Sequence, residues 1–375
     1  MAFGGEALAS HEGKKIFVPW GVPGDLVKIE LIEEKKDYAR GRILEVLEQS
    51  PHRQQAECPY FFKCGGCQWQ HIRYESQLAL KQDLLQAALQ RVGKIHSPHL
   101  LEPIPALSPF HYRNKIRLQV SKQGKVGFYK TQSKEVVEIE SCLIAQDSLN
   151  EQLSQARKLA QQLFSKDKSK IHEIEIFNSS SPSPLEGEGQ GEGDKIQVGE
   201  VGEETHFIQS NSLQNLRLKK LVNEYLELSG KENVLELFAG DGNFTFEVAK
   251  KSSSVIAVEL NSQAILSAEE KIRKSHCKNV EFVESSAHRY LTSLPKTQKF
   301  DRILLDPPRM GMEQGIDKLA RLKIPIIIYV SCDPATLARD LKEFMDLGYQ
   351  HEFSQFIDMF PQTYHIESIT RLSLS

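Results

Sequence analysis

A thiol and a carboxylate late in the chain invite a chemical reading. Cys332 lies within Tyr329-Val-Ser-Cys-Asp-Pro-Ala-Thr-Leu-Ala-Arg339, and Glu367 closes Phe360-Pro-Gln-Thr-Tyr-His-Ile-Glu367, about 35 residues on. The apolar run Ile324–Val330 reads as a buried parallel strand, and Thr336–Glu343 has helical composition. Open α/β sheets bind ligands beyond the carboxyl ends of their strands. Cys332 is therefore expected at a site edge, where a helix N-terminus would favour its thiolate. Cysteine often packs inertly as a small hydrophobe, but the turn Ser331–Pro334 leads this one out of the strand. A cysteine nucleophile with a late carboxylate base suits methylation at carbon 5 of uracil. That carbon becomes nucleophilic only once a thiolate adds to carbon 6, and a base must later take the carbon-5 proton.

These two residues need a fold that aims them, and residues from about 206 onward supply the pattern of one. Val234–Phe238, Val255–Glu259, Val280–Val283, Arg302–Asp306 and Ile326–Val330 alternate with helical stretches, as in a doubly wound, Rossmann-like α/β domain. The first strand runs into Glu236-Leu-Phe-Ala-Gly240-Asp-Gly242-Asn-Phe244. A Gly-x-Gly turn alone is a weak signal. Here it lacks both a third glycine and a phosphate-loop lysine, and Glu259 ends the next strand, where it could hold two ribose hydroxyls. That combination fits S-adenosylmethionine. Asp306-Pro-Pro-Arg309 closes a further strand, where a carboxylate could accept the imide proton of a flat heterocycle.

Upstream, Cys58-x5-Cys64-x2-Cys67 and the remote Cys142 form a set of four thiols. Four thiolates suit zinc or an iron–sulfur cluster, and three clustered cysteines with a distant fourth lean towards 4Fe–4S. Glu75–Arg91 has helical spacing, and strands are expected near Ile116–Val120, Val126–Tyr129 and Val136–Ile139. From Pro103 to Lys134 there are seven Lys and Arg residues, no acidic ones, and interleaved rings, a bias suited to RNA phosphates and unpaired bases. The stretch 179–195, rich in Ser, Gly and Glu, reads as a flexible insertion. Lys15–Pro19, Asp25–Glu30 and Ala39–Glu45 suggest a small OB-like β-barrel.

Composition bounds the rest. A chain of 375 residues with 40% apolar and 26% charged residues suits a soluble protein of two or three domains. No apolar run is long enough to span a bilayer and no signal peptide opens the chain, so a cytoplasmic monomer with reduced thiols is expected. The net charge of −3 disfavours indiscriminate polyanion binding and places any RNA contact on a local patch.

Taken together, Asp-Pro-Pro-Arg, Ser-Cys-Asp-Pro-Ala-Thr-Leu-Ala-Arg-Asp, Pro-Gln-Thr-Tyr-His-Ile-Glu and the four cysteines resemble the RNA uracil-5-methyltransferase family. The likeness is closest to its iron–sulfur branch acting on 23S ribosomal RNA. The N-terminal Gly-Gly-Glu-Ala-Leu-Ala and Val18-Pro-Trp-Gly-Val-Pro-Gly24 resemble a TRAM domain. The resemblance implies three units: a TRAM module over 1–52, a central α+β iron–sulfur domain over 53–205, and a class I methyltransferase domain over 206–375. It implies Cys332 as nucleophile and Glu367 as base. It places Gln209, Phe238, Gly240, Asn243, Glu259, Ser286 and Asp306 in the cofactor pocket, and Cys58, Cys64, Cys67 and Cys142 on a 4Fe–4S cluster. Gln362 and Glu236 depart from the family's usual histidine and aspartate. The transfer-RNA branch generally lacks the cysteines, which favours ribosomal RNA. A transfer-RNA enzyme and a non-catalytic iron–sulfur RNA-binding protein are the alternatives.

Overall fold

Short segments of alternating burial, broken by glycine and proline, open the chain as strands. In the computed structural model, which describes residues 1–166, 172–178, 196–201, 209–275 and 277–374, these are β1 (Ala7–His11), β2 (Lys14–Val18), β3 (Leu26–Glu34) and β4 (Tyr38–Glu48). They form one sheet in the order β1-β2-β4-β3, in which β2 and β4 run parallel. The strand-rich unit fits the small barrel expected from sequence; β1 was not anticipated. Ile16, Val18 and Ala39 form its small core.

Next come α1 (Tyr74–Arg91), β5 (Lys115–Val120), β6 (Val126–Tyr129), β7 (Val136–Glu138), α2 (Asp147–Glu151), α3 (Leu153–Lys166), β8 (His172–Asn178) and β9 (Ile196–Glu200). The strands make an antiparallel sheet in the order β7-β6-β5-β8-β9. Alternate residues of β5 and β8 meet α3 in a core that includes Leu118, Ala156 and Ile174. The insertion expected at 179–195 and the boundary expected at 205/206 lie outside the described residues.

The remaining elements are α4 (Ser212–Tyr225), β10 (Asn233–Leu237), α5 (Thr245–Ala249), β11 (Ser254–Glu259), α6 (Ser262–Ser275), β12 (Val280–Glu284), α7 (Ala287–Ser293), β13 (Arg302–Leu305), α8 (Ile316–Ala320), β14 (Ile326–Ser331), α9 (Pro334–Asp346), β15 (Tyr349–Ile357) and β16 (Glu367–Leu374). Their sheet has the order β12-β11-β10-β13-β14-β16-β15. Five strands are parallel; β16 inserts antiparallel between β14 and β15. Every residue of β14 is buried, as a central parallel strand requires.

Helix α1 joins the two larger units. Leu84, Leu85, Ala88 and Leu89 share one core with Leu337, Leu341 and Phe344 of α9 and with Tyr329 of β14. Lys81 stands on this same buried face, and its ammonium meets Asp358 Oδ1 at 2.7 Å with neither side chain exposed. Tyr74 donates to the other carboxylate oxygen at 2.9 Å. A charge left alone in such a site costs far more than the intact pair contributes. Lys81→Met is therefore expected to lose about 3–5 kcal/mol of unfolding free energy, measured by urea titration; a loss under about 1 kcal/mol would show that Asp358 finds another partner.

Candidate active site

The sheet's register brings the late thiol and carboxylate together. Ser331 pairs with Ser368 across β14 and β16, and Ile357 pairs with Glu367 across β15 and β16. Cys332, one residue beyond β14, thus comes beside Glu367 at the carboxyl edge of the parallel strands. Asp306 follows β13 on the neighbouring strand, and its N–H donates to Leu237 O at 3.4 Å.

The electrostatics of this corner correct one expectation. The first turn of α9 does not favour a Cys332 thiolate, because Asp333 already caps it: Oδ1 accepts from Ala335 N at 2.9 Å and Thr336 N at 3.0 Å. Burial, and then the carboxylates of Glu367 and Asp306, push the thiol up to about 11. Burial also raises Asp306 to about 7. Glu367 is held well above the usual carboxylate range by burial and by Asp306. Arg309 opposes the upward shift at both Cys332 and Glu367. Helix α9 fixes the Arg309 loop: Thr336 Oγ1 donates to Arg309 O at 3.0 Å, and Arg339 Nη2 to Met310 O at 2.7 Å. Asp340 accepts from Met312 N and Tyr329 OH, both at 2.6 Å. Only glycine suits position 311, with φ +74° and a would-be Cβ 2.5 Å from Asp340 Oδ2.

Along the same edge, the turn after β10 is built from left-handed residues, with Phe238 at φ 64°, Gly240 at 57° and Gly242 at 89°. Strain of this kind at a non-glycine such as Phe238 gathers at functional sites. Glu259 closes the turn: Oε2 accepts from Gly240 N at 2.8 Å, and Oε1 from Leu260 N and Asn261 N. Both carboxylate oxygens of Glu259 thus anchor backbone N–H groups at the mouth of the turn. Asn243 exchanges two amide hydrogen bonds with Asn215 of α4, at 2.9 and 3.1 Å. Gln209 is half-buried two residues before Asn211, the N-cap of α4. Ser286 caps α7 through Arg289 N at 3.2 Å, a helix-capping duty that spacing did not suggest. Beneath the turn, burial pushes the fully enclosed Glu236 up to about 8, so it is mostly protonated near neutrality.

The four upstream cysteines also converge. Cys58, Cys64, Cys67 and Cys142 line one cavity of about 170 Å³, together with Arg113. All four thiols are raised by burial. Arg113 Nε is buried without a hydrogen-bond partner, and its charge opposes the rise at Cys67 and Cys142. Among the described residues, no three His, Cys, Asp or Glu side chains are grouped as a metal ion would require.

The basic stretch 103–134 is less positive than its composition suggests. Arg113 turns into the cysteine cavity, Lys115 and Arg117 pair with Glu175 of β8, and Lys130 pairs with Glu135. Lys122, Lys125, Lys134 and Tyr129 line a separate groove of about 390 Å³. Sequence reasoning gave no role to Arg309, Asp340, Lys81 or Asp358. The available signal was Lys81, a charge at helical spacing from Leu78 and Leu85 on an apolar face.

Comparison with known proteins agrees with this geometry. The family model for tRNA (uracil-5-)-methyltransferase matches residues 194–374. An uncharacterized RNA methyltransferase of Aquifex aeolicus is 32% identical, covering 100% of this chain and 97% of its own. The 23S rRNA (uracil(1939)-C(5))-methyltransferase RlmD of Histophilus somni is 31% identical, covering 99% and 93%. Among solved structures, the tRNA (uracil-54, C5)-methyltransferase of Pyrococcus abyssi, in complex with S-adenosyl-L-homocysteine, superposes with a TM-score of 0.73 at 23% identity, covering 98% and 97%. With two relatives above 30% identity matched end to end, a shared fold and a matching family model, this chain belongs to the RNA uracil-5-methyltransferase family.

Proposed function

We propose that this protein methylates carbon 5 of a uridine in 23S ribosomal RNA through a covalent adduct on Cys332. The observation that carries the reading is the β14–β16 register, which sets Cys332 beside Glu367 at the ligand-binding edge of the sheet. The 23S substrate follows the full-length relatives named for it. Transfer RNA, named by the family model and the superposed structure, is the alternative substrate. S-adenosylmethionine supplies an electrophilic methyl group when bound, and the turn Phe238–Asn243 with Glu259 is its seat. The division into units over 1–52, 53–205 and 206–375 assigns RNA contacts to the first two and the chemistry to the third.

The residues divide the work by charge. Cys332 gives up its proton to solvent and the thiolate sulfur bonds to carbon 6, which moves the electron pair of the carbon 5–carbon 6 double bond towards carbon 5. Asp306 faces the same space and can accept a hydrogen bond from the ring imide. Once carbon 5 carries the methyl group, Glu367 takes its proton. The released electron pair restores the carbon 5–carbon 6 double bond, and the sulfur leaves. Glu367 must itself be ionised by then, and Arg309 is the neighbour whose charge favours this.

The cavity of Cys58, Cys64, Cys67 and Cys142 suits a 4Fe–4S cluster. Four thiols on one wall set, with the buried Arg113 cation to offset their charge as thiolates, support this reading. Bound there, a cluster supplies a cross-link between the Cys58–Cys67 loop and the Cys142 turn; methyl transfer itself moves no electrons.

Tritium release from 5-tritiated uridine RNA, run with 23S fragments and with transfer RNA, tests the reaction and its substrate. Release with 23S RNA is expected, and Cys332→Ala is expected to abolish both it and the denaturation-stable adduct with 5-fluorouridine RNA. An adduct that survives this substitution would overturn the nucleophile; release with transfer RNA alone would replace the substrate.

Adduct formation is also expected to depend on pH in a set direction. Because the thiol titrates at about 11, its thiolate fraction, and with it the single-turnover rate, should rise ~10-fold per unit between about pH 7 and about pH 9. A rate already flat above about pH 7 would mean that an ionised Cys332 is present at neutrality.

For the cysteine cavity, anaerobically purified protein is expected to carry about four iron and four sulfide per chain. Cys64→Ser should lose them and weaken RNA binding while S-adenosylmethionine affinity stays within about twofold. Stoichiometric zinc without iron would refute the cluster.

A further inference from the structure

The link between β15 and β16 is held from outside with unusual completeness. Ile357 pairs directly with Glu367, so residues 358–366 leave β15 and return to the proposed base. Five consecutive carbonyls of this link accept hydrogen bonds from donors elsewhere in the chain. Asp358 O accepts from Gln214 Nε2 at 3.2 Å, and Met359 O from Asn211 Nδ2 at 3.3 Å. Phe360 O accepts from Lys81 Nζ at 3.0 Å, and Pro361 O from Tyr112 OH at 3.0 Å. Gln362 O accepts from Gln68 N and Trp69 N, both at 3.0 Å.

Gln362 is the most constrained residue. It sits at φ +66°, a conformation a non-glycine keeps only where its surroundings over-determine it. Gln77 supplies that constraint from α1. Its Nε2 donates to Gln362 Oε1 at 2.9 Å, and its Oε1 accepts from Gln362 N at 3.0 Å. The same Nε2 also reaches Trp69 O and Ile72 O, so Gln77 ties the link to the stretch that follows Cys67. Both glutamines are buried.

We infer that Gln77 and Tyr112 are positioning residues for Glu367: they hold the 358–362 backbone so that the carboxylate is aimed at the proton on carbon 5. The inference rests on Glu367 being the base. Cys332 is held by a different set of bonds, the β13–β14 pairing and the Asp333-capped start of α9. Loosening the link should therefore slow proton removal while leaving sulfur attack and methyl transfer intact. In that step the carbon-5 proton passes to the Glu367 carboxylate, its electron pair forms the carbon 5–carbon 6 double bond, and the sulfur departs as thiolate.

The test compares Gln77→Met and Tyr112→Phe with the unmodified protein on two RNAs. With 5-fluorouridine RNA, which reports every step before proton removal, adduct formation should stay within about twofold. With 5-tritiated uridine RNA, kcat for tritium release should fall about tenfold for Gln77→Met, and less for Tyr112→Phe, with KM little changed. Methylated protein–RNA adduct should accumulate on ordinary RNA, as it should in Glu367→Gln. Hydrogen exchange, which needs no turnover, should quicken in peptides covering 359–366 and not in β13 or β14. A parallel fall of adduct formation, tritium release and cofactor affinity would reduce both residues to fold support and overturn the inference. So would an unchanged ratio of the two rates. An unmodified protein that gives neither adduct nor release would instead overturn the uracil reading beneath it.

Discussion

The antiparallel return of β16 between β14 and β15 is the constraint on which the site depends. The other six strands run in one direction and present only their carboxyl ends to the ligand edge. A parallel β16 would have brought its last residues there; running antiparallel, it brings its first, Glu367. Side chains alternate faces along a strand, so a slip of one residue would turn Glu367 to the wrong side of the sheet. The pairing is fixed by burial on both flanks: Ile369 and Leu372 are fully buried, and Ser368 Oγ donates to Ser331 O at 3.3 Å. The nearness of Cys332 to Glu367 is thus a by-product of how a hydrophobic strand finds its register.

That geometry creates an electrostatic difficulty which the chain leaves partly unsolved at rest. Cys332, Glu367 and Asp306 share one buried corner, and each negative charge there makes the next harder to form. Burial raises all three groups, and Arg309 is the cation that opposes the rise at Cys332 and Glu367. A thiol raised in this way is less open to oxidation and alkylation than a thiolate. The helix α9 contacts that hold the Arg309 loop keep that cation beside the corner.

Much of this was legible in the sequence, and what was not has physical reasons. The parallel strands announced themselves as apolar runs because both their faces are covered, β14 most clearly. Cys332 and Glu367 stood out through residue type and spacing. The misreading at Cys332 came from crediting the helix N-terminus while overlooking Asp333-Pro334, a capping signature visible in the sequence itself. The basic stretch was overcounted for a different reason. Its neutralising partners, Glu173 and Glu175, lie on β8, and only the β5–β8 register sets Glu175 opposite Arg117 and brings Lys115 and Glu173 into diagonal reach. Lys81 was legible as an anomaly but not as a pair, since Asp358 is remote in sequence. Local pattern reads single elements well; pairings between distant strands and helices carry no local mark.

The departure at Gln362 finds its explanation in this non-local layer. A side chain at φ +66° needs partners on both its backbone and its tip, and Gln77 satisfies both with one amide. The Gln77 amide makes two hydrogen bonds at once, donating to the Gln362 side-chain oxygen and accepting from the Gln362 backbone N–H. Substituting one partner alone would strand a buried donor or acceptor, whose desolvation costs more than the lost bond contributes. The two glutamines lie 285 residues apart in sequence. The stretch after Cys67 is part of the same contact through Trp69 and Ile72, so the cysteine loop and the segment that carries Glu367 are mechanically one piece. Gly5 extends it to the N-terminal sheet: its carbonyl accepts from Trp69 Nε1 at 3.0 Å, and a Cβ there would stand 2.9 Å from Tyr364. Segments that adjoin all three sheets thus meet at the link before Glu367: Gly5 just ahead of β1, Tyr112 just ahead of β5, and the β15–β16 link itself.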